Sequence, residues 1–346
     1  MSLTNLAGPP SRVRRNLVRA FSAGLTPIVT SSPGLGKSDI IKSIAKEYRM
    51  KLIDFRVPQA DVTDFNGLPF RNPNGKAEFL PFDIFPLEGD PLPVDENGNE
   101  LEGWILFLDE LTSAPKHLQS PAYKLILDRM IGTRKLHPKV MICAAGNLAS
   151  DKAIVHEMST ALQSRMIHLQ LRLDHDEWYK WSIANDVDSR VIAFIQFKPG
   201  LLHRFDPNHN DQTFACPRTW FFLSKLIKGH VVEMDDLDLL AGAVSNGPAQ
   251  EFISFVKVFD ELPKLSTIIT DPENVIIPHE PSIKFALATV LAEKMDNSNV
   301  APLCKFVARL PIESRVLCMR MLRQRTPNMI RLPEIQKVFQ PIVARL

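Results

Sequence analysis

One segment near the start of the chain constrains its fold more than any other. Residues 27–30 (Pro-Ile-Val-Thr) form an apolar run of strand length, and a glycine-rich turn follows directly. After the turn, apolar residues recur at helical spacing and share one face: Ile40, Ile41, Ile44, Ala45 and Tyr48. A strand, a turn and a helix in this order are typical of parallel sheets covered by helices, so the segment predicts an α/β fold.

The turn has the composition of a phosphate-binding loop. Its sequence from residue 31 to residue 38, SSPGLGKS, matches the pattern GxxxxGK[ST] except that Ser31 stands in place of the first glycine. Glycine lets backbone N–H groups approach a phosphate chain closely, because it has no Cβ to collide with the anion. The predicted nucleotide-binding residues of this loop are Ser32, Pro33, Gly34, Leu35, Gly36, Lys37 and Ser38. We expect Lys37 to reach the terminal phosphates and the hydroxyl of Ser38 to hold magnesium.

A pair of acids follows a second apolar run. Residues 104–108 (WILFL) are apolar enough for a strand buried on both faces, and Asp109 and Glu110 come next. An aspartate at the carboxyl end of such a strand is suited to metal binding, so Asp109 is predicted to be a magnesium ligand and part of the nucleotide site. Glu110 is predicted to orient and deprotonate the attacking water. Together the loop and the acid pair predict a Mg-dependent ATPase with ATP and Mg2+ as cofactors.

The other segments complete an alternating pattern. Further strands are predicted at residues 51–57, 139–145 and 166–171, and a helix at residues 116–130. From residue 174 onward the chain is predicted to be almost wholly helical. The expected fold class is a P-loop NTPase parallel sheet with helices on both faces, followed by an all-α lid and a C-terminal helical unit. The predicted boundaries are an α/β nucleotide-binding core at 1–172, a lid at 173–260 and a C-terminal helical domain at 261–346.

A long irregular segment interrupts this alternation. Residues 58–103 are rich in Pro, Gly, Asn and Asp. Within them, residues 68–71 and 77–80 flank the turn sequence Asn-Pro-Asn-Gly, which predicts a β-hairpin. For residues 61–86, a loop without regular structure is the alternative interpretation.

Composition and charge say little about partners. A net charge of +2 over 346 residues neither requires nor excludes nucleic acid. No apolar run approaches the roughly 18 residues that a membrane helix needs, so membrane insertion is not expected. The four cysteines, which form no CxxC pair, are Cys143, Cys216, Cys304 and Cys318. Reduced thiols and a cytoplasmic location are therefore expected.

In the order of these motifs the chain resembles the AAA+ ATPases and, within them, the MoxR-like group of the helix-2-insert clade. The phosphate loop and the acid pair correspond to the Walker A and Walker B motifs of that family, and residues 61–86 lie where the clade has its insertion. The resemblance implies that Asn147 is sensor 1, which helps to position the attacking water. It also implies that Arg165 is the arginine finger and that Arg218 is sensor 2, which contacts the nucleotide.

The resemblance further implies an assembly and a mode of action. In this group the chain is expected to form a homo-oligomer, usually a hexameric ring, in which Arg165 reaches the nucleotide of the neighbouring subunit. The partner is often a protein with a von Willebrand factor A domain. ATP hydrolysis is then expected to remodel or assemble a protein client, as a chaperone does.

The residues by themselves leave other interpretations open. Asn147 fits a helix N-cap, Arg218 fits an ordinary first-turn position after proline, and Arg165 fits a surface arginine, with Arg129 or Arg134 as the finger instead. A nucleic-acid motor or loader would share every motif, whereas a small-molecule kinase would share only the phosphate loop. The C-terminal arginines fit a solvated face, a docking face for an acidic protein, or a nucleic-acid site: Arg309, Arg315, Arg320, Arg323, Arg325, Arg331 and Arg345.

Overall fold

A parallel sheet of five strands forms the centre of the first of two units into which the chain divides, Met1–Asp174 and His175–Leu346. The structure is a computed structural model and describes residues 6–151, 158–208, 211–257 and 262–340. The helices and strands of the first unit are, in chain order, α1 (Pro10–Ser22), β1 (Thr26–Ser31), α2 (Lys37–Glu47), β2 (Met50–Arg56), α3 (Val62–Asn66), β3 (Leu68–Arg71), β4 (Ala77–Leu80), β5 (Gly103–Asp109), α4 (Lys116–Asp128), β6 (Met130–Ile131), β7 (Arg134–Lys135), β8 (Val140–Asn147), α5 (Thr160–Gln163) and β9 (Met166–Gln170).

The sheet is buried on both faces. Its strands lie in the order β2-β5-β8-β1-β9, and every neighbouring pair is parallel. Along β5, Leu106 and Leu108 pack with α4 in one core cluster, whereas Ile105 and Phe107 pack with α1 and α2 in the other. A strand with helices on both sides needs apolar residues at every position, which is why this run does not alternate. The predicted parallel sheet with helices on both faces is confirmed.

The strand order determines which chain segments meet. β1 lies between β8 and β9. The next strand in the chain, β2, lies at the edge of the sheet beyond β8 and β5. Parallel strands end at the same edge, so the carboxyl ends of β1, β8 and β5 are neighbours. In open parallel sheets, ligands bind outside this edge, at the point where the strand order changes direction. The phosphate loop follows β1 and therefore starts at that point.

The irregular segment contains the predicted hairpin. β3 and β4 pair in antiparallel register along their full length, so the alternative of a loop without regular structure does not hold for residues 68–80. At the turn, the side-chain oxygen of Asn72 accepts hydrogen bonds from the N–H groups of Asn74 and Lys76 at 3.1 and 3.0 Å. The preceding helix α3 anchors this insert hairpin through the buried Phe65, whose ring packs edge-to-face on Phe55 with centroids 5.2 Å apart.

The second unit is helical, as predicted. Its helices are α6 (His175–Ala184), α7 (Ser189–Phe197), α8 (Pro217–Ile227), α9 (Leu237–Val244), α10 (Asn246–Lys257), α11 (Leu265–Thr270), α12 (Pro281–Lys294), α13 (Val300–Ala308), α14 (Ile312–Arg325) and α15 (Pro333–Phe339). Helix α12 packs against both α7 and α14. The division of this unit into a lid at 173–260 and a C-terminal domain at 261–346 stays a prediction. None of the described helices has the length and apolar composition needed to cross a bilayer.

Candidate active site

The phosphate loop connects the end of β1 to the start of α2. Gly34 and Gly36 have φ angles of 78° and 85°, a left-handed conformation that favours glycine. Gly36 directly precedes the first residue of α2, so the loop delivers the chain into the N-terminal turn of the helix. The first N–H groups of a helix have no partner inside the helix, and they attract anions together with the helix dipole. The loop thus has the glycine positions and the helix terminus that a phosphate cradle requires.

Lys37 contacts two strand ends. Its ammonium donates hydrogen bonds to Oδ1 of Asn147 at 3.0 Å and to both the carbonyl oxygen and Oγ of Ser31 at 3.1 Å. Ser31 and Asn147 are partners in the β1–β8 register, which explains why one side chain reaches both. The amide oxygen of Asn147 therefore has a partner in the phosphate loop, whereas the N-cap interpretation requires a backbone N–H group of a following helix.

Ser31, the departure from the phosphate-loop pattern, fits its position. It is the last residue of β1, is 0% exposed, and is not among the residues with a positive φ angle. A Cβ is therefore tolerated where the pattern has glycine. The hydroxyl donates to the carbonyl oxygen of Ser32 at 2.8 Å and accepts from Lys37. The serine thus gives the lysine an additional acceptor that glycine would not supply.

Ser38 and Asp109 meet across the sheet edge. Asp109 is the last residue of β5, and its Oδ2 accepts a hydrogen bond from the Ser38 hydroxyl at 3.3 Å. Its other carboxylate oxygen accepts from the N–H group of Glu110 at 2.9 Å. A hydroxyl and a carboxylate are oxygen ligands of the kind that Mg2+ prefers, so this donor set fits that ion. The loop and the acid pair, which are more than seventy residues apart in sequence, thus lie at one site.

Glu110 has an unusual backbone. Its φ angle of 57° lies in the left-handed region, which is uncommon for a residue with a side chain and costs about 1–3 kcal/mol. The carbonyl oxygen of Glu110 accepts from the N–H group of Ser113 at 2.8 Å, which starts a short helical turn at residues 111–113. Glu110 itself is exposed, directly after the half-buried Asp109. Strained residues of this kind are frequent at functional sites.

Cys143, on β8, lies in the core close to the acid pair. Burial raises the pKa of its thiol, and the carboxylate of Asp109 raises it further. The thiol therefore stays protonated and neutral near pH 7. Only the thiolate form acts as a nucleophile or a metal ligand. All four cysteines are free and buried.

Thr112 also belongs to this site, although the sequence interpretation did not include it. Its hydroxyl accepts a hydrogen bond from the N–H group of Asn147 at 3.0 Å and lies 3.4 Å from the carbonyl oxygen of the same residue. The only signal in the sequence is its place three residues after Asp109. A threonine there has many uses, and only the approach of β8 reveals this one.

The three finger candidates differ in accessibility. Arg165 is exposed; its guanidinium lies over the ring of Tyr123, 5.2 Å from the centroid, and donates to the carbonyl oxygen of Ala161 at 2.8 Å. Arg134 is also exposed and forms a 4.0 Å ion pair with Glu78 of the insert hairpin. Arg129, in contrast, is half-buried and donates to a carbonyl oxygen of β8, and burial lowers the pKa of its guanidinium.

Arg218 belongs to the second unit. It is the second residue of α8 and is exposed. The start of this helix is fixed by Thr219, whose hydroxyl accepts from the N–H group of Cys216 at 2.9 Å, and by Trp220, whose indole N–H donates to the carbonyl oxygen of Leu201 at 2.8 Å. The predicted contact of Arg218 with the nucleotide stays a prediction.

Part of the C-terminal arginine excess is neutralised within the second unit. Arg320 pairs with Asp176 at 3.0 Å, and Arg325 with Glu293 at 4.0 Å. Arg309 donates to two backbone carbonyl groups, at 2.6 and 2.8 Å. The two ion pairs reduce the positive charge that a nucleic acid would meet, whereas Arg309 keeps its charge, because the carbonyl groups it contacts are neutral.

Comparison with known proteins gives similarity in structure only. No known sequence family and no curated protein matches the chain. Solved structures do: a mutant of RuvB from Thermotoga maritima is 17% identical with a TM-score of 0.41, covering 79% of each chain. NtrX from Brucella abortus in complex with ATP is 13% identical with a TM-score of 0.39, covering 90% of this chain and 67% of that one. A candidate ATPase from Cytophaga hutchinsonii is 15% identical with a TM-score of 0.33, covering 98% and 90%. Identities and TM-scores this low do not indicate function, which has to come from the site residues.

Proposed function

We propose that this protein is an ATPase of the AAA+ type, which binds ATP with Mg2+ at the carboxyl edge of its sheet and hydrolyses it to ADP and phosphate. The observation that carries the proposal is the convergence of three strand ends on one site. Lys37 contacts Asn147 at 3.0 Å, and Ser38 contacts Asp109 at 3.3 Å. Hydrolysis of a phosphate chain requires positioning and neutralisation of charge, and these are the groups that supply both.

Each residue has a role in this proposal. Lys37 exchanges Ser31 and Asn147 for the terminal phosphates when ATP binds. Ser38 and Asp109 hold Mg2+, which when bound supplies positive charge against the charge that develops on the phosphates. Glu110 accepts a proton from the attacking water, and Asn147, released from Lys37, orients that water. The role of Arg218 as sensor 2 rests on the resemblance to the AAA+ ATPases alone.

The proposed finger is Arg165, acting on the nucleotide of a neighbouring subunit in a homo-oligomeric ring. The exposure of Arg165 and its contact with the ring of Tyr123 support this role, because a finger in trans must be accessible and held in one orientation. The half-buried Arg129 is less suited. A hexamer and a partner with a von Willebrand factor A domain rest on the resemblance to the MoxR-like group alone.

The proposed client is a protein. The insert hairpin supports this, because apolar side chains on both of its strands are exposed: Leu68 at 51%, Phe70 at 42%, Phe79 at 41% and Leu80 at 59%. By the strand register, Leu68, Phe70 and Leu80 share one face of the hairpin, and an exposed apolar face is typical of a protein-binding surface. Nucleic acid is less favoured, since Arg320 and Arg325 already pair with acids and the hairpin is not predominantly basic.

The test combines assembly with turnover. The purified protein is run on a sizing column with and without a slowly hydrolysed ATP analogue, and phosphate release is measured from ATP. We expect a nucleotide-dependent shift to a ring-sized species and release of phosphate to water. A protein that stays monomeric and passes phosphate to an acceptor other than water would be a kinase. Stimulation by DNA or RNA with a steep salt dependence would indicate the nucleic-acid motor instead.

A further inference from the structure

Thr112 occupies a position just past the end of a strand pairing. The register between β5 and β8 ends at the pair Leu108–Ala144, because the chain turns away at the acid pair. On the other side of β8, the register with β1 continues to Asn147. Asn147 therefore lies beyond the point where β5 and β8 stop pairing. Its N–H and carbonyl groups face the side of β8 on which β5 has already ended. The Thr112 hydroxyl lies 3.0 Å from the N–H nitrogen and 3.4 Å from the carbonyl oxygen, where it can accept from one and donate to the other.

The approach is close enough to constrain the neighbouring residue. A Cβ at Gly146 would lie 2.3 Å from Cγ2 and 2.4 Å from Oγ1 of Thr112, both shorter than any van der Waals contact. Gly146 is therefore required by the proximity of Thr112, and not by a left-handed backbone. Thr112 is 8% exposed, so its hydrogen bond is protected from competing water.

Thr112 is also linked to the acid pair. It lies in the short turn at residues 111–113, which begins with the hydrogen bond from Ser113 to the carbonyl oxygen of Glu110. One short turn thus holds the strained backbone of Glu110 at one end and the backbone of Asn147 in its middle. These are the two residues that have to act on the same water in the proposed reaction.

We propose that Thr112 is a positioning residue for ATP hydrolysis, which sets the distance between Glu110 and Asn147 without touching the nucleotide. The inference rests on the proposed ATPase function. The two parts of the Thr112 side chain have different roles in this proposal. The hydroxyl holds the backbone of Asn147, whereas the methyl group only fills space. Two substitutions distinguish these contributions, because valine keeps the shape and serine keeps the hydroxyl.

The experiment compares Thr112→Val with Thr112→Ser in the full-length protein. In the valine variant we expect kcat to fall on the order of tenfold with an unchanged Kd for ATP, because the part-buried N–H group of Asn147 loses its acceptor while the residues of the phosphate loop are unchanged. We expect the serine variant to keep kcat within about threefold of the wild type. Should the valine variant not fold, Thr112→Ala against Thr112→Ser makes the same comparison.

A second measurement does not depend on activity. Amide hydrogen exchange of the peptide containing Asn147 is expected to accelerate in the valine variant and not in the serine variant. If the wild type hydrolyses no ATP, the proposed function fails while the exchange still decides whether Thr112 holds Asn147. Unchanged exchange in the valine variant overturns the inference. So does a loss of kcat that is equal in both variants, or one accompanied by an equal loss of ATP affinity, because either would indicate a packing role.

Discussion

Two regions of the first unit follow opposite rules. At the carboxyl edge of the sheet, polar side chains from separate segments contact one another: Lys37 reaches Asn147, and Ser38 reaches Asp109. In the insert hairpin, apolar side chains contact solvent, and Leu80 is 59% exposed. A buried polar group is costly unless it is paired, and an exposed apolar group is costly unless it is covered.

The comparison indicates what each region is for. At the edge, these polar side chains already have partners within the chain, and a ligand would take those interactions over. In the hairpin, the apolar side chains remain exposed within the chain, which is expected of a surface that a partner covers. Substitutions at the edge should therefore change nucleotide chemistry, and substitutions in the hairpin should change the response to a partner. The following predictions test this division.

The largest expected effect is that of Lys37→Ala. Loss of charge-assisted hydrogen bonds to phosphate is worth about 3 kcal/mol, or on the order of 100-fold in Kd, so ATP binding should disappear from the range of a fluorescent-nucleotide titration and turnover should stop. Lys42→Ala is the matched control, since Lys42 is an exposed lysine on the same helix. Equal affinities of the Lys37 variant and the control would remove the edge as the nucleotide site.

Arg165→Ala should keep ATP binding and lose turnover by roughly 10³-fold or more, the range of arginine fingers. Mixing this variant with Glu110→Gln should restore part of the activity, because each would supply what its neighbour lacks in a ring. Phosphate release from the mixture is the measurement. A variant that hydrolyses ATP at nearly the wild-type rate would exclude Arg165 as the finger and direct attention to Arg134.

Glu110→Gln should lower kcat by roughly 10²–10⁴-fold, since general base catalysis contributes about that much, and should leave the Kd for ATP unchanged. Single-turnover hydrolysis separates the two quantities. The control is Glu102→Gln, an exposed glutamate just before the same strand. A parallel loss of binding and turnover would mean that Glu110 holds the loop or the nucleotide and does not act on water.

Substitution of the apolar hairpin residues should leave the edge intact. In Phe79→Ser and Leu80→Ser we expect basal ATP hydrolysis within about twofold of the wild type, because exposed side chains contribute little to folding. Stimulation by a permanently unfolded protein should be lost, and it should remain in Lys76→Ser, which alters the turn of the same hairpin. Full stimulation in both apolar variants would place the client surface elsewhere.

The smallest effect concerns Ser31→Ala. It removes one acceptor that competes with phosphate for Lys37, a difference of about 0.5–1.5 kcal/mol, so ATP affinity should rise by roughly two- to tenfold. Isothermal titration of the two proteins measures this. Weaker binding in the variant would indicate that the Ser31 hydroxyl contacts the nucleotide directly.

Much of the fold and part of the site could be predicted from the sequence. The β5 run, the hairpin and the helical second unit follow from local patterns, because apolar periodicity and turn residues act over a few positions. The meeting of Lys37 with Asn147 could be expected only through the family resemblance, since the two are 110 residues apart. The link between Thr112 and Asn147 could not be predicted, because a threonine after an acid pair has no pattern of its own.

The sequence by itself therefore determined the strand, turn and helix at the phosphate loop, the acid pair and the α/β class. The tertiary structure decided that Ser31 serves as an acceptor for Lys37, that Arg129 is half-buried where Arg165 is exposed, and that Gly146 makes room for Thr112. The physical reason is the range of the interactions. Backbone preferences and hydrophobic periodicity depend on neighbours in sequence. Hydrogen bonds and close contacts between strand ends depend on which strands lie side by side in the sheet.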